Sequence, residues 1–563
     1  MQIVTKPKTY DVLIVGSGAG GGMAAKVLAE GGAECLLLEA GPTWSAGQDG
    51  VMFKWNHDSP RRGGGSRLRP FGEFDGCLGG WDIEGEPYTV AAGERFLWFR
   101  GRMLGGRTNH WGRISLRAGP WDFKGRSRDG LGDDWPIGYD DIKPYYDKLD
   151  EMVGLYGSNE GLENEPDGIF QPPPAPRAYE RLIKKASDQL KITCIPARRS
   201  VLTRPLNGRA PCHFCGQCNR GCSTSSNFST PSVLLPPALA TGRLSIVTGA
   251  MVREVLTDAE GLATGVSYVD TATGREQQVR AKVVVLAASA CETARLLLNS
   301  KSPRHPAGLA NASGVVGRYL TDTTGSHLSG HVPALEALPP YNEDGTGGMH
   351  VYMPWWVDNK TLDFPRGYHI EPGGGRGMPG MGFLGGIHRL QGGGYGKKLK
   401  DDYRRLYGSF VGFAGRGEMI PNKDSYCEID PHVVDRWGIP VLRFHWKWSD
   451  YELNQARHMV ETFAEIIGTM GGKVLGEMPG RAEEYGLKVG GEIIHEAGTT
   501  RMGTSPATSV LNEGCQAHDC RNLFVADSGP FVSNPHKNMT WTILALAMRT
   551  SERIVEERRK GNL

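Results

Sequence analysis

Residues 11–41 read DVLIVGSGAGGGMAAKVLAEGGAECLLLEAG, and this stretch decides the fold class. DVLIV (11–15) is a short apolar run, GSGAGG follows, a helical pattern spans Met23 to Ala29, and CLLLEAG (35–41) is a second apolar run. A strand, a glycine turn, a helix and a second strand make a unit that implies a parallel sheet. Gly16, Gly18 and Gly21 form G-x-G-x-x-G at the strand–helix turn, and Glu39 ends the second strand. The first glycine permits the tight turn and the second lets backbone approach a pyrophosphate. The third allows helix to pack closely on strand. The helix N-terminus then faces the phosphates, and the glutamate accepts from ribose hydroxyls. A glycine-rich turn without a ligand is the bland alternative, and it leaves Glu39 unexplained. An acid at that position disfavours a 2′-phosphate, so FAD and NAD remain and NADP does not.

The rest of the composition narrows the class. With 64 Lys and Arg against 62 Asp and Glu, a net charge of +2 gives no reason to expect nucleic acid as a partner. No run of about 18 apolar residues occurs, so no transmembrane helix is expected. MQIVTKPKTY carries no apolar run of signal-peptide type. That pattern predicts the cytoplasm, or export alongside a partner that carries a signal. Seventy-nine glycines and 35 prolines call for many turns and close backbone approaches.

Beyond residue 240 the pattern changes twice. LSIVTGAMVREVL (244–256), GVSYVD (265–270) and AKVVVLAAS (281–289) form a β-rich region, and CETARLLLNS (291–300) predicts a helix. Residues 330–430 are rich in glycine, proline and aromatics, as in HIEPGGGRGMPGMGFLGG (369–386), which predicts long loops over the sheet of a second domain. SDYELNQARHMVETFAEIIGT (449–469) and WTILALAMRTSERIVEER (541–558) predict amphipathic helices. The expected class is α/β: a split Rossmann-type domain, and an α+β substrate domain with an antiparallel sheet and helices. The expected division is 1–320, 321–487 and a C-terminal return at 488–563.

Eleven cysteines, an odd number, do not form a disulfide framework. Seven are scattered: Cys35, Cys77, Cys194, Cys291, Cys427, Cys515 and Cys520. CHFCGQCNRGC places Cys212, Cys215, Cys218 and Cys222 in C-x2-C-x2-C-x3-C spacing, which suits a compact iron–sulfur cluster held by one loop. The ferredoxin run has a proline next, and here Ser223 stands there. Zinc is the alternative, although zinc sites usually split their ligands into two separated pairs. A redox disulfide is third.

Three further segments carry a resemblance: FRGRMLGGRTNHWG (99–112), LAASACETARLLLNS (286–300), and HEAGTTRMG (495–503) through NLFVADSGPFVSNPHKNMTWTILALAMRTSE (522–552). With the N-terminal fingerprint they resemble the glucose–methanol–choline (GMC) oxidoreductase family, in its order and spacing. The resemblance implies FAD in the split domain and oxidation of alcohols or sugars. It places His495 at the family's catalytic histidine and Asn538 at its partner position, with His536 the competitor if the loop register shifts. A base must take the hydroxyl proton as hydride leaves, and histidine suits that task near neutral pH. An asparagine can hydrogen-bond the substrate oxygen. By the same resemblance Asp527 lies against the FAD, Val252 meets the adenine, and Gly105, Gly106, Asn109 and His110 pass the isoalloxazine. Covalent attachment through His110 and a non-covalent contact both stay open.

A subgroup is closer still. The flavin subunits of bacterial glucose, sorbitol, fructose and gluconate dehydrogenases, and glucoside 3-dehydrogenases, resemble this chain in carrying a cysteine cluster in this region. That likeness implies a 3Fe–4S cluster on Cys212, Cys218 and Cys222. Cys215 is the extra thiol, and a 4Fe–4S cubane using it remains open. It also implies a sugar or glycoside substrate, an escort subunit that brings the flavoprotein to the periplasm, and a cytochrome c acceptor. An oxygen-using oxidase, a polyol or gluconate dehydrogenase, a non-catalytic electron carrier and a non-redox flavoprotein are the alternatives.

Overall fold

The computed structural model describes residues 8–50, 79–336, 338, 345–376 and 381–563. Cys77, counted above among the scattered thiols, lies outside them. The elements that matter for the site run in chain order as follows. β1 (Thr9–Val15), α1 (Ala19–Glu30) and β2 (Cys35–Glu39) open the chain. β3 (Leu244–Thr248), β4 (Ala250–Thr257), β5 (Ala263–Asp270), β6 (Glu276–Leu286) and α2 (Ala290–Asn299) follow. β7 (His327–His331), β8 (Tyr368–Gly374), α3 (Met381–Gln391), β9 (Phe410–Gly417), α4 (Asp450–Thr469) and β10 (Lys473–Val474) form the second unit. β11 (Leu523–Val525) and α5 (Thr540–Lys560) close the chain.

The first sheet has seven strands. β3, β2, β1 and β6 lie side by side and parallel. β6 is long enough to serve two neighbours on its far side. Its first half pairs antiparallel with β5, and its last three residues pair parallel with β11. N-terminal, middle and C-terminal strands thus share one sheet. β1 and β2 are apolar almost throughout, as expected for strands covered on both faces. α1 and α5 pack against each other on this layer. Gly31 comes so close that an added Cβ would lie 2.4 Å from a Val555 methyl.

The run 244–256 is not one strand. It breaks at Gly249, whose φ of +69° suits glycine, and its halves β3 and β4 stand at opposite ends of the strand order. The 369–386 patch is also more ordered than its composition predicts. Tyr368–Gly374 is a ladder strand, and Met381–Gln391 is a helix. Glycine there serves close packing: a Cβ on Gly386 would sit 2.5 Å from the Phe410 ring. Residues 377–380 lie outside the described segments.

The second sheet is antiparallel, in the order β8-β9-β7-β10. α4 covers it, burying Met459, Phe463, Ile466 and Ile467 against Leu328, Val411, Phe413 and Ile370. Ser449 caps α4 in a capping box with Glu452, and the helix starts at the residue after that cap. Among the described residues no helix is long and apolar enough to cross a membrane.

Candidate active site

A cleft of about 380 Å³ opens at the C-terminal ends of the parallel strands, where α/β sheets place ligands. Gly16, Gly18 and Gly20 floor one end, and their separate roles are visible. A Cβ on Gly16 would meet the Ala287 carbonyl at 2.4 Å, and one on Gly20 the Ala526 carbonyl at 1.5 Å. Gly21 packs the helix onto the strand turn, 1.8 Å from the Gly16 carbonyl oxygen by the same measure, and does not line the cleft. Gly18 has nothing within 4 Å, so its missing side chain leaves room inside the cleft itself. No side chain caps α1, so its first amides are left for an anion.

Glu39 lines the same end. One carboxylate oxygen accepts from the backbone and hydroxyl of Ser17, and the other accepts from Gly41 N at 2.8 Å. Burial raises its pKa despite these bonds. Val252 and Asp527 line the cleft too. Asp527 accepts from Thr293 Oγ1 at 2.5 Å and Gly529 N at 2.7 Å, and burial lifts its carboxyl to about 6. A dinucleotide therefore finds a phosphate cradle, an acid at the ribose position and a second acid farther along. These residues fit FAD.

The 99–112 loop contributes Gly106, Arg107, Thr108 and His110 to the cleft. Gly105 and Asn109 do not face it. Gly105 donates to Ser17 Oγ at 2.8 Å, and Asn109 Nδ2 donates to the Leu104 carbonyl at 2.9 Å, so both shape the loop from behind. His110 packs edge-on to Phe99, and burial, with Arg113 and Arg107 nearby, pushes its pKa down to about 3.

His495 and Asn538 line the same cleft. The loop carrying His495 is pinned at three points. Its backbone N–H donates to Asp322 at 3.0 Å, its carbonyl accepts from Asn534 Nδ2 at 2.8 Å, and its Nδ1 lies 3.0 Å from Thr323 Oγ1. Removal from water, with the Arg416 cation adding to it, lowers its pKa to about 3, so the ring is neutral across the physiological range. Its Nε2 has no hydrogen-bond partner among the described residues. Asn538 donates through Nδ2 to Glu371 at 3.2 Å, and its buried Oδ1 is unpaired. His536 does not line the cleft. Its Nε2 sits 3.2 Å from the buried Lys537 ammonium, and burial holds its pKa well below the usual value.

Sequence reasoning missed Glu371, Thr323 and Arg107. Glu371 receives Asn538, Arg416 at 3.3 Å and His369 Nε2 at 3.1 Å. His369 Nδ1 donates to the His536 carbonyl. Both ring nitrogens of His369 thus face acceptors, and Arg416 holds the Glu371 carboxyl far below the carboxylate range against the cost of burial. Arg107 pairs with Glu496 at 2.6 Å. It stands inside the quoted GRTNHWG loop, where a cation beside a flavin fingerprint is a usable signal. Nothing in local spacing marks Thr323 or Glu371.

A second cavity of about 300 Å³ adjoins the cleft through Gly112 and Ile114, which line both. Glu371, His327 and Arg199 wall it, and Gly216 and Cys218 bring the cysteine loop to its edge. The four thiols of that loop are free and near enough for their charges to interact. They do not converge on one point as expected: among the described residues no three His, Cys, Asp or Glu side chains are gathered to hold a metal ion. Cys212 accepts the Phe214 amide at 3.3 Å, and Cys222 lies 3.3 Å from Ser226 Oγ and 3.5 Å from Thr224 Oγ1.

Comparison with known proteins agrees with this geometry. Residues 10–324 and 421–547 match the two parts of the GMC oxidoreductase family. The chain belongs to the GMC oxidoreductase family. It is 29% identical to 2-methyl-1,2-propanediol dehydrogenase of Mycolicibacterium austroafricanum, covering 98% of this chain and 96% of the relative. It is 27% identical to the fructose dehydrogenase large subunit of Gluconobacter japonicus, with 98% of each covered. It is 25% identical to a C-glycoside 3-oxidase of Arthrobacter globiformis, with 98% and 96% covered. The fold matches a variant of formate oxidase of Aspergillus oryzae with a TM-score of 0.67 at 16% identity, over 99% of this chain and 100% of that one. Like other GMC members, this chain is an FAD-dependent oxidoreductase acting on CH–OH groups.

Proposed function

We propose that this GMC member is a dehydrogenase of a sugar or glycoside, oxidising a ring hydroxyl such as that at C3 of a pyranose. One observation carries the reading: a neutral histidine, tethered at Nδ1 and free at Nε2, shares a cleft with the dinucleotide cradle. FAD bound there supplies the acceptor for the hydride that leaves the carbinol carbon. His495 takes the hydroxyl proton at Nε2. Asn538 hydrogen-bonds the substrate oxygen, and the side-chain-uncapped N-terminus of α5, directly after Asn538, adds positive potential where negative charge develops. The second cavity, walled by Glu371, His327 and Arg199, supplies polar groups for the hydroxyls of a sugar ring.

The names of relatives support the substrate class: fructose dehydrogenase, gluconate 2-dehydrogenase and C-glycoside 3-oxidase act on sugars or their derivatives. D-glucose, methyl β-D-glucopyranoside, D-fructose and D-gluconate, added anaerobically to the purified protein, test it. At least one bleaches the bound flavin; none doing so would remove the proposal. Fast peroxide production in air, with no gain from an artificial acceptor, would shift the reading to an oxidase.

The spacing of Cys212, Cys215, Cys218 and Cys222 supports an iron–sulfur cluster of 3Fe–4S or 4Fe–4S type. The likeness to the fructose dehydrogenase large subunit and the gluconate 2-dehydrogenase flavoprotein supports the rest of the proposal, a cytochrome c acceptor and an escort subunit that carries the chain to the periplasm. Iron and acid-labile sulfide measured on anaerobically purified protein decide the first point. Zinc in place of iron would end it.

A further inference from the structure

His495 can serve as a base at Nε2 only if its single proton sits on Nδ1, because a neutral imidazole carries one N–H. Nδ1 lies 3.0 Å from Thr323 Oγ1, and Thr323 is fully buried. Among the described residues that hydroxyl meets no other partner. Its position is built, not incidental. The Thr323 amide donates to Asp322 Oδ1 at 2.9 Å, and the same carboxylate takes the backbone N–H of His495 at 3.0 Å and of Gly491 at 2.8 Å. One acid therefore locks the segment before β7 that carries Thr323 to the loop carrying His495, and the hydroxyl faces the ring nitrogen as a consequence. A hydroxyl held there is able to accept from an Nδ1–H, and in that arrangement the Nε2 lone pair is left to the cleft.

We propose that Thr323 is a positioning residue that sets the tautomer of His495, holding the proton on Nδ1 so that Nε2 faces the substrate as an acceptor. The proposal deepens the reading of His495 as the base and rests on it. It concerns a residue 172 positions from the histidine, outside every motif quoted above.

The test uses the flavin-loaded full chain. In protein labelled with 15N at histidine, the His495 resonances are assigned by comparison with His495→Gln. Wild type shows a protonated Nδ1 and a bare Nε2. Thr323→Val, which keeps the shape and removes the oxygen, shows a mixture of the two tautomers. Thr323→Ser restores the wild-type signal. With the sugar from the panel above that bleaches wild type fastest, Thr323→Val lowers kcat about tenfold, the scale of one hydrogen bond. It leaves KM, the flavin spectrum and the thermal midpoint close to wild type, and Thr323→Ser recovers most of kcat. A wild-type His495 protonated at Nε2 overturns the proposal, and so does a Thr323→Val enzyme with unchanged kcat and tautomer. If Thr323→Val does not fold, the wild-type tautomer and Thr323→Ser still decide. If no sugar bleaches the flavin, the dehydrogenase reading fails, and the 15N spectra still report on Thr323 separately.

Discussion

At the scale of single residues, the cleft is held by charges and hydrogen bonds that reach it from far along the chain. His495→Gln keeps the fold and the flavin and lowers kcat a hundredfold or more, on the order expected for losing a general base. The check is single-turnover bleaching beside the unchanged visible spectrum. Glu371 matters differently. It accepts the Asn538 amide and is itself fixed by Arg416 and His369, so the asparagine carbonyl is left unpaired in the site. Glu371→Gln frees Asn538 to flip and lowers kcat/KM about tenfold. Lys537 is a purely structural case. Its ammonium is buried between Asp122 at 2.9 Å and Glu165 at 3.5 Å. Lys537→Met strands two buried carboxylates and costs about 3–5 kcal/mol in denaturant unfolding.

At the scale of elements, the β1–α1 turn separates two kinds of glycine. Gly20 is closed in by backbone, since an added Cβ would sit 1.5 Å from the Ala526 carbonyl oxygen, on the segment running out of β11. Gly20→Ala therefore damages the packing of α1 on the sheet and lowers the thermal midpoint even without cofactor. Gly18 is open on its cleft side. Gly18→Val folds, with the midpoint of the flavin-free protein within a degree or two of wild type, and purifies without FAD because the side chain occupies the phosphate space. Equal flavin content in Gly18→Val and wild type would contradict this division. The same scale explains why composition misled at 369–386. Glycines there bring α3 onto β9, and a segment that reads as loop becomes a strand and a helix once β9 offers it a ladder.

At the scale of the whole molecule, the buried acids give the flavin-free protein a pH dependence of known sign. Asp527 rises from an ordinary value of 3.8 to about 6 because it is buried. Its folded state therefore holds a proton over a range where the unfolded chain has lost it. Stability from this group is greatest below pH 3.8 and falls as pH rises towards 6, by about 3 kcal/mol in all. Asp527→Asn removes that slope. Thermal midpoints of the two proteins between pH 4 and pH 7, taken as a difference, show it. The family, the FAD domain and the oxidation of CH–OH groups were all legible in short segments. Glycine spacing, an acid at the end of β2 and the HEAGT and NPHKN stretches each depend on neighbours within about 30 residues in sequence, and local geometry follows from local order.

What the sequence determined by itself is the strand–turn–helix–strand unit with its phosphate cradle and Glu39; through the family resemblance it also marked His495, Asn538 and Asp527 and the class of reaction, and the structure gathered them in one cleft. Only the tertiary structure decided that Thr323 meets His495, that Glu371 meets Asn538, that Gly105 and Asn109 support their loop from behind, and that residues 244–256 divide between two ends of a sheet. The physical reason is distance along the chain. Thr323 and His495 are 172 residues apart, and Glu371 and Asn538 are 167 apart. Such pairs are set by where the chain brings the segment before β7 and strand β8 against residues 495 and 538 of the C-terminal stretch, and no periodicity in the sequence encodes that packing.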